Sequence, residues 1–175
     1  MHAPLFPLMN DDESIVEFIP RLRRYARALA GDRNAADDLV QDTLERAWSK
    51  LHLYRRGTDL RAWLFTVMHN VFVNQRRAAR INVSLDEEMP ELAQPARETD
   101  TLVLRDLDAA IRRLPPDQRE VLLLVALEDM SYDLAAETLG VPIGTVMSRL
   151  SRAREKLRAM LSGLPAGGKQ LKIVK

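Results

Sequence analysis

Residues 131–158 place two helix-forming segments on either side of a glycine turn, and this pattern constrains the fold more than any other feature of the chain. Ser131 is a good N-cap for the first segment, because its hydroxyl can accept a hydrogen bond from an unpaired backbone N–H. Gly140 suits the left-handed position that ends such a helix, and Pro142 is tolerated in the first turn of a new one. The sequence therefore predicts a helix-turn-helix whose second helix begins near Pro142.

The second predicted helix separates an apolar stripe from a polar and basic face. The stripe consists of residues at helical spacing: Val146, Leu150, Ala153 and Leu157. Polar side chains occupy other positions: Thr145, Ser148, Arg149, Arg152 and Lys156. From Val141 onward the chain has eight Lys or Arg and one acid, although its net charge is only +1. This distribution favours a helix that enters the major groove of DNA; the alternative is a solvated basic face in an ordinary helix pair.

Helical periodicity also dominates the rest of the chain, whereas strand patterns are nearly absent. An apolar stripe that ends at Trp48 predicts a helix over 37–48, which Asp32 or Asn34 can cap. Four further helices are predicted, at 20–30, 60–80, 102–114 and 117–128. Pro116 can serve as the first helical residue of the last of these. The predicted fold class is all-α.

The periodicity fails over residues 82–100, which contain two prolines, six acids and a single base, Arg97. Such a composition is typical of a solvated, flexible linker. It divides the chain into a small N-terminal helical domain over 1–81 and a C-terminal domain over 101–175 that ends in a basic tail. Each domain has enough apolar positions to bury a small core, and the helix-turn-helix belongs to the second.

The composition excludes several classes of site. There is no cysteine, so disulfides, thiolate metal sites and cysteine nucleophiles are excluded. The three histidines lack metal-ligand spacing, and no His/Ser/Asp or clustered-carboxylate arrangement converges on a catalytic site. No stretch reaches the roughly 18 apolar residues of a membrane span, and the N-terminus lacks the basic segment of a secretion signal. We therefore expect a soluble cytoplasmic protein with no metal, no cofactor and no catalytic residue.

Two further polar surfaces lie in the N-terminal domain. The helix over 37–48 has an acidic, hydrogen-bonding face that includes Asp38, Gln41 and Asp42. Such a face is either merely solvated or a docking site for a protein. The end of the helix over 60–80 is rich in Asn and Arg. Its cations either favour the helix dipole or form a second nucleic-acid surface.

Four blocks of sequence together closely resemble the extracytoplasmic-function sigma factors, which are small two-domain bacterial initiation factors. The blocks are DDLVQDTLERAW (37–48), DLRAWLFTVMHN (59–70), LPPDQREVLLL (114–124) and GVPIGTVMSRLSRAREKL (140–157). They occur in this order around an acidic linker of suitable length, and the resemblance covers residues 19–161. It implies an alternative sigma factor, an RNA polymerase subunit that directs promoter-specific transcription initiation.

The resemblance assigns roles to the surfaces of the N-terminal domain. The family's docking segment for the largest polymerase subunit corresponds by position to Asp38, Gln41 and Asp42. The next block looks like the part that recognises and melts the minus-ten promoter element. Its expected contacts are Trp63, Asn70, Asn74, Arg76 and Arg77. A further melting position, often Arg in the family, is Thr66 here, and Trp63 by itself is also explained as a core residue.

In the C-terminal domain the resemblance implies that the helix after Pro142 reads the minus-thirty-five element. The matching positions are Thr145, Met147, Ser148, Arg149, Ser151 and Arg152. Thr145 and Arg149 are expected near the DNA backbone. Met147 departs from the basic residue that is frequent in the family, and its apolar side chain suits a thymine methyl group.

The implied partners are core RNA polymerase, promoter DNA and an anti-sigma factor, with no small-molecule substrate. A further hypothesis is that three linker acids, Glu87, Glu88 and Glu91, occupy basic polymerase channels that later hold RNA. The strongest rival function is a helix-turn-helix repressor or activator that needs no polymerase. The acidic face of 37–48 and the second basic surface argue against it. A nucleic-acid enzyme is a weaker rival, since no catalytic groups converge.

Overall fold

The computed structural model describes residues 9–55, 57–83 and 102–162, and this part of the chain is helical without strands. Its elements are α1 (Met9–Ala30), α2 (Arg33–Lys50), a 3₁₀ turn (Leu51–Leu53), α3 (Leu60–Val83), α4 (Leu102–Arg113), α5 (Pro116–Ala126), α6 (Tyr132–Leu139) and α7 (Ile143–Leu161). The all-α prediction is confirmed. Most of the predicted acidic linker, including Glu87, Glu88 and Glu91, lies outside the described residues, as does the C-terminal tail.

The helix ends follow the chemistry of their boundary residues. Asp32 caps α2, where its Oδ2 accepts a hydrogen bond from the Ala35 N–H at 2.9 Å. The Ser131 hydroxyl caps α6 in the same way, accepting from the Leu134 N–H at 3.2 Å. Gly140 ends α6 with a φ of 62°, the left-handed conformation that glycine adopts without steric cost. These local features confirm the predicted helix-turn-helix, in which α6 and α7 are the two helices.

The first helix is longer than its sequence suggested. We expected it to begin near Pro20, but α1 begins at Met9 and continues through this proline. Pro20 removes one backbone hydrogen bond from the helix interior. However, Ile15 precedes it and Leu22 follows it, and both side chains are completely buried. Their packing on the other helices stabilises the helix on both sides of the proline.

The buried residues of the N-terminal lobe (α1–α3) and the C-terminal lobe (α4–α7) form one continuous cluster. Within the first lobe, Tyr25 packs edge-on against Phe65, with ring centroids 4.9 Å apart. Between the lobes, α1 packs on α4 and α5, and α3 packs on α6. The two lobes therefore share a core in this structure.

Polar groups also connect the lobes. The fully buried carboxylate of Glu128, just beyond α5, binds Arg21 at 2.9 Å and Arg24 at 3.1 Å, both on α1. In the same lobe contact, His69 Nδ1 of α3 lies 2.6 Å from Glu120 Oε1 of α5. Charged groups removed from water need such partners, so these contacts make the lobe arrangement specific.

Tyr25 lies at this lobe contact and has an unusual acid–base property. Burial, and then the nearby carboxylates of Glu120 and Glu128, raise the pKa of its phenol well above 10. In the unfolded chain the phenol loses its proton near pH 10, whereas the folded protein retains it. The unfolded state therefore binds fewer protons above that pH, and the free energy of unfolding must fall as pH rises.

We expect the Tyr25→Phe variant to lose this alkaline sensitivity. One proton accounts for at most about 1.4 kcal/mol per pH unit, and urea unfolding followed by circular dichroism between pH 9.5 and 11 measures the slope. The matched control is Tyr132→Phe, which removes a phenol from α6 instead. If the free energy of unfolding falls in parallel in wild type and Tyr25→Phe over this range, Tyr25 is not responsible for the alkaline loss of stability.

Candidate nucleic-acid interface

The outer face of α7 presents small polar side chains and the guanidinium of Arg152. Val146, Leu150 and Ala153 are buried against the other helices of the C-terminal lobe. Helical spacing therefore turns Ser148, Ser151 and Arg152 away from the core, and all three are exposed. No carboxylate of the described residues lies within 4.0 Å of the Arg152 guanidinium. Its donors are available to a base edge or a phosphate.

The flanking positions of α7 differ in how freely they can contact a ligand. Met147 is 51% exposed, which is high for an apolar side chain of this size. Thr145 and Arg149 are only half-exposed. Arg149 Nε binds Asp117 Oδ2 of α5 at 3.2 Å, so the guanidinium is both oriented and partly neutralised within the protein. Among the predicted contacts on this helix, Arg149 alone has an ion pair with a described residue.

The predicted acidic face of α2 is exposed. Asp38, Gln41 and Asp42 all lie on the side opposite the buried residues of this helix. Asp42 Oδ2 accepts a hydrogen bond from Gln75 Nε2 of α3 at 2.8 Å, which ties the face to the neighbouring helix. Gln41 Nε2 makes a longer contact of 3.4 Å with Glu45. On this face the Asp42 carboxylate and the Gln41 amide are held by neighbours, and the Asp38 carboxylate has no partner among the described residues.

Trp48 is a correction to the sequence-based assignment. We placed it in the apolar stripe of α2, but its side chain is 42% exposed. Residues 38, 41, 45 and 48 recur at three- and four-residue intervals, so Trp48 shares a face with Asp38 and Gln41. Large exposed aromatic side chains are enriched at protein interfaces, and this position adds an apolar contact to an otherwise acidic face.

Four of the five predicted minus-ten residues lie together on α3. Positions 63, 70, 74 and 77 recur at seven-, four- and three-residue intervals and share one face. On it, Asn70, Asn74 and Arg77 are exposed, whereas Trp63 is half-buried. The Trp63 ring lies 5.3 Å from that of Tyr54, at an interplanar angle of 50°.

Arg76 points in a different direction from the other four. Its guanidinium carbon lies 5.7 Å from the centroid of the Phe72 ring, a cation–π contact within the N-terminal lobe. Burial lowers the pKa of Arg119 on α5, and the charges of Arg76 and Arg112 lower it further. The charge of Arg76 therefore lies near Arg119 of the C-terminal lobe, whereas Trp63 and the three exposed residues share one face of α3.

The loop before α3 is held by its own hydrogen bonds. The Tyr54 hydroxyl donates to the Thr58 carbonyl at 2.7 Å, and Asp59 Oδ1 accepts from the Ala62 N–H at 3.1 Å as the cap of α3. This arrangement places the aromatic pair of Tyr54 and Trp63 beside a fixed turn. A flat aromatic surface next to exposed amides can accept an unstacked base.

Two negative findings apply to the described residues only. Their carboxylates and histidines form no cluster of three or more that could hold a metal ion. None of their helices combines the length and the apolar character needed to span a bilayer.

Comparisons with known proteins agree on one family. Residues 15–69 match the family described as the Sigma2 domain of PhyR, and residues 104–157 match Sigma-70, region 4. The chain is 40% identical over 161 residues to the ECF RNA polymerase sigma factor EcfG of Rhodopseudomonas palustris, covering 90% of this chain and 87% of that relative. It is 38% identical over 170 residues to the ECF sigma factor SigL of Mycobacterium tuberculosis, covering 93% and 92%.

Solved structures give the same result at the level of the fold. The sigma factor RpoE of Bartonella quintana, crystallised with the anti-sigma factor NepR, has a TM-score of 0.80 and 34% identity, over 90% of this chain and all of the other. CnrH, solved with the cytosolic domain of CnrY, has a TM-score of 0.64 and 27% identity, over 88% of each chain.

Proposed function

This chain belongs to the extracytoplasmic-function family of RNA polymerase sigma factors, and we propose that it binds core polymerase through α2 and reads promoter DNA through α3 and α7. In this proposal, residues 1–81 form the domain that docks on polymerase and opens the minus-ten element. Residues 101–175 form the domain that reads the minus-thirty-five element, and residues 82–100 connect the two. The observation that carries the proposal is the placement of exposed faces with polar and basic side chains on α3 and α7, in separate lobes, together with an exposed acidic face on α2.

The acidic face of α2 suits a basic helical partner. Asp38 has an exposed carboxylate, and Asp42 is positioned by Gln75, so both can accept charge-assisted hydrogen bonds. Interface charges of this kind determine orientation and the rate of encounter. Trp48 on the same face supplies the apolar contact that such an interface needs at its centre. We infer that these residues bind the largest polymerase subunit.

The α3 face suits opened rather than duplex DNA. Asn70 and Asn74 offer amide groups to base edges, and Arg77 offers a cation to the backbone. Trp63 can stack on a base that has left the helix, because its ring is half-exposed beside Tyr54. Arg76 remains a proposed minus-ten residue, although its guanidinium makes a cation–π contact with Phe72 and points away from the other four.

The α7 face suits the major groove of the minus-thirty-five element. Ser148, Ser151 and Arg152 lie at its centre and are assigned to base edges, and Thr145 and Arg149 flank them near the backbone. The ion pair between Arg149 and Asp117 orients this guanidinium for phosphate rather than base contact. Met147 contacts a thymine methyl group in this arrangement.

The chain is proposed to act in the cytoplasm as a transcription initiation factor rather than as an enzyme, without a cofactor. An anti-sigma factor is proposed as its inhibitory partner. The proposal of an anti-sigma partner is supported by the similarity to RpoE of Bartonella quintana, which was crystallised with the anti-sigma factor NepR.

Run-off transcription with purified core polymerase tests the function. We expect promoter-specific transcripts from a library of promoter fragments only when this protein is added. A stand-alone repressor or activator would instead bind the fragments without polymerase and produce no new transcript from core enzyme. Fragments with a pre-opened minus-ten segment separate promoter recognition from melting.

A further inference from the structure

The cleft between α1 and α4 is lined mainly by arginines. Its volume is about 540 Å³, which lies in the range of sites that hold small molecules. The charged lining residues are Arg23, Arg24 and Arg27 of α1 and Asp108 and Arg112 of α4. Four guanidinium groups and one carboxylate leave an excess of three positive charges. Neither helix carries the residues proposed to read DNA or to dock on polymerase, so this cleft is a separate feature of the surface.

Two of the four arginines are held in place by the protein. Arg112 Nη2 binds Asp108 Oδ2, one turn earlier on α4, at 2.7 Å, and Arg112 Nη1 donates to the Gly31 carbonyl. Arg24 Nη2 donates to Glu128 Oε1 at 3.1 Å. Both hydrogen bonds of Arg24 to described residues come from Nη2, so its Nε and Nη1 donors are left for a ligand. Groups that are already oriented lose little freedom when they bind.

The other two arginines, Arg23 and Arg27, are exposed on adjacent turns of α1. None of the carboxylates that the structure describes forms an ion pair with either guanidinium. Arg27 lies in the last turn of α1, where a cation favours the helix dipole, but this does not explain Arg23. Like charges four residues apart on a helix repel each other, and a bound anion would remove that repulsion.

Positive charge is also in excess behind the cleft. Arg119 Nη1 of α5 donates to the Leu29 carbonyl near the end of α1 at 2.6 Å, and Arg119 Nη2 donates to the Arg112 carbonyl. Burial lowers the pKa of Arg119, and the charges of Arg76 and Arg112 lower it further, against the opposite effect of Asp108. An anion in the cleft would therefore be attracted by the wall as well as by the lining.

Phosphate groups suit this arrangement better than a single carboxylate does. The N–H fork of an arginine matches two oxygens of either group. However, one phosphate carries about −1.5 to −2 charges at pH 7, so two phosphates balance the excess of the cleft and one carboxylate does not. Pro20 and Ala28 add a small apolar surface, and the volume accommodates a ligand larger than one phosphate ion.

We propose that the α1–α4 cleft binds a small molecule with two or more phosphate groups, such as an inorganic oligophosphate or a nucleoside polyphosphate. Arg24 and Arg112 hold the phosphates from fixed positions, and Arg23 and Arg27 bind them from the exposed side. The site goes beyond the proposed function, because none of its residues belongs to the DNA-reading or polymerase-docking faces.

Calorimetric titration of the full chain at constant ionic strength tests this site. The probes are inorganic triphosphate, adenosine triphosphate and orthophosphate, all without divalent cations. Arg23→Gln/Arg27→Gln removes the two exposed charges of the cleft, and Asp108→Asn removes its carboxylate. The matched control is Arg46→Gln/Lys50→Gln, which removes two exposed cations four residues apart on α2. Circular dichroism verifies that the helical content of each variant is unchanged.

We expect inorganic triphosphate to bind wild type and the control equally, and to bind Arg23→Gln/Arg27→Gln about 10-fold more weakly or worse. Asp108→Asn is expected to bind it about two- to fivefold more tightly, because the variant removes a repulsive charge and frees Nη2 of Arg112. Orthophosphate is expected to bind wild type more weakly than triphosphate does. Tighter binding of adenosine triphosphate than of inorganic triphosphate would identify the ligand as a nucleotide, and equal binding would identify an oligophosphate; both support the site.

The absence of saturable binding of either triphosphate overturns the proposal. Equal losses in the two double variants also overturn it, because only the overall charge would then matter. If Arg23→Gln/Arg27→Gln weakens binding to duplex DNA but leaves the triphosphate affinity unchanged, the cleft contacts the DNA backbone and the proposal is wrong. Failure of the protein to support run-off transcription would overturn the proposed function and leave the phosphate site unaffected.

Discussion

Reversing the charges of Asp38 and Asp42 to lysine is expected to weaken binding to core RNA polymerase by about 100-fold or more. Both carboxylates are exposed on one face of α2, and this face is proposed to meet a basic partner. Loss of a close charge pair at an interface costs about 2–5 kcal/mol, and the introduced lysines add repulsion. About 2.7 kcal/mol already corresponds to 100-fold in the dissociation constant.

A matched variant separates docking from general charge effects. Asp133 and Glu137 are also exposed acids four residues apart on one helix, but they lie on α6. Their reversal to lysine changes the net charge by the same amount and is expected to leave polymerase affinity within about twofold of wild type. Titration of labelled protein with core polymerase gives both dissociation constants. Equal losses in the two double variants would show that the α2 face is not the docking site.

Asp42 also has a structural contact, which needs its own control. Its hydrogen bond with Gln75 joins α2 to α3, so Asp42→Lys disturbs the N-terminal lobe as well as the face. Gln75→Ala removes the same contact without changing any charge. We expect this variant to bind polymerase almost normally, because it keeps both carboxylates and the lost hydrogen bond to a charged group contributes about 1.5–3 kcal/mol to stability, less than the stability of a typical domain.

Local chemistry determined the parts of the structure that the sequence predicted well. The caps at Asp32 and Ser131, the left-handed Gly140 and the start of α5 at Pro116 all depend on residues within one helical turn. The apolar stripe of α7 identifies the buried side of this helix in the sequence, and the outward positions follow from it. Where a few neighbouring residues decide the conformation, the sequence contains all the necessary information.

One error and one unpredicted orientation arose at the edge of an apolar stripe, where periodicity does not decide which side chains are covered. Trp48 lies one position beyond the buried Ala47 and is exposed. Arg76 and Arg77 are adjacent on α3, about 100° apart around the helix axis. Only the packing of the C-terminal lobe determines that Arg76 faces inward and Arg77 faces outward. The one available indication for Trp48 was its spacing of ten residues from Asp38 and seven from Gln41, which puts all three on one helix face.

The lobe contact could not be predicted for a different reason. Glu128 and Arg21 are separated by 107 positions in the chain, and no pattern within either helix links them. An acid just beyond the end of α5 is ordinarily solvated, as are arginines on an amphipathic helix. Burial of Glu128 follows only from the approach of α1 and α3, which is a tertiary event. The contact of Glu128 with Arg21 was therefore visible only in the three-dimensional structure.

Replacement of Arg152 by alanine is expected to reduce holoenzyme binding to a promoter with an intact minus-thirty-five element by about 5- to 150-fold. This range corresponds to the 1–3 kcal/mol of discrimination that a bidentate arginine–guanine contact provides. Arg152 is exposed at the centre of the α7 face. Arg149, by contrast, shares its charge with Asp117. Of the two arginines, Arg152 therefore has the freedom to form a planar contact with a base.

The way in which the loss of promoter binding varies with the DNA sequence distinguishes a base contact of Arg152 from a phosphate contact. A panel of promoters with each base pair of the element replaced in turn is bound to holoenzyme containing wild type, Arg152→Ala or Arg154→Ala. For Arg152→Ala we expect the preference to disappear at one base pair and to persist at the others. Arg154 is exposed on the flank of α7, and its replacement is expected to weaken binding to all promoter sequences alike. If Arg152→Ala instead weakens binding to all sequences equally and makes the affinity less dependent on salt, this guanidinium contacts the phosphate backbone. Sequence preference would then rest on Met147 and the two serines of the face.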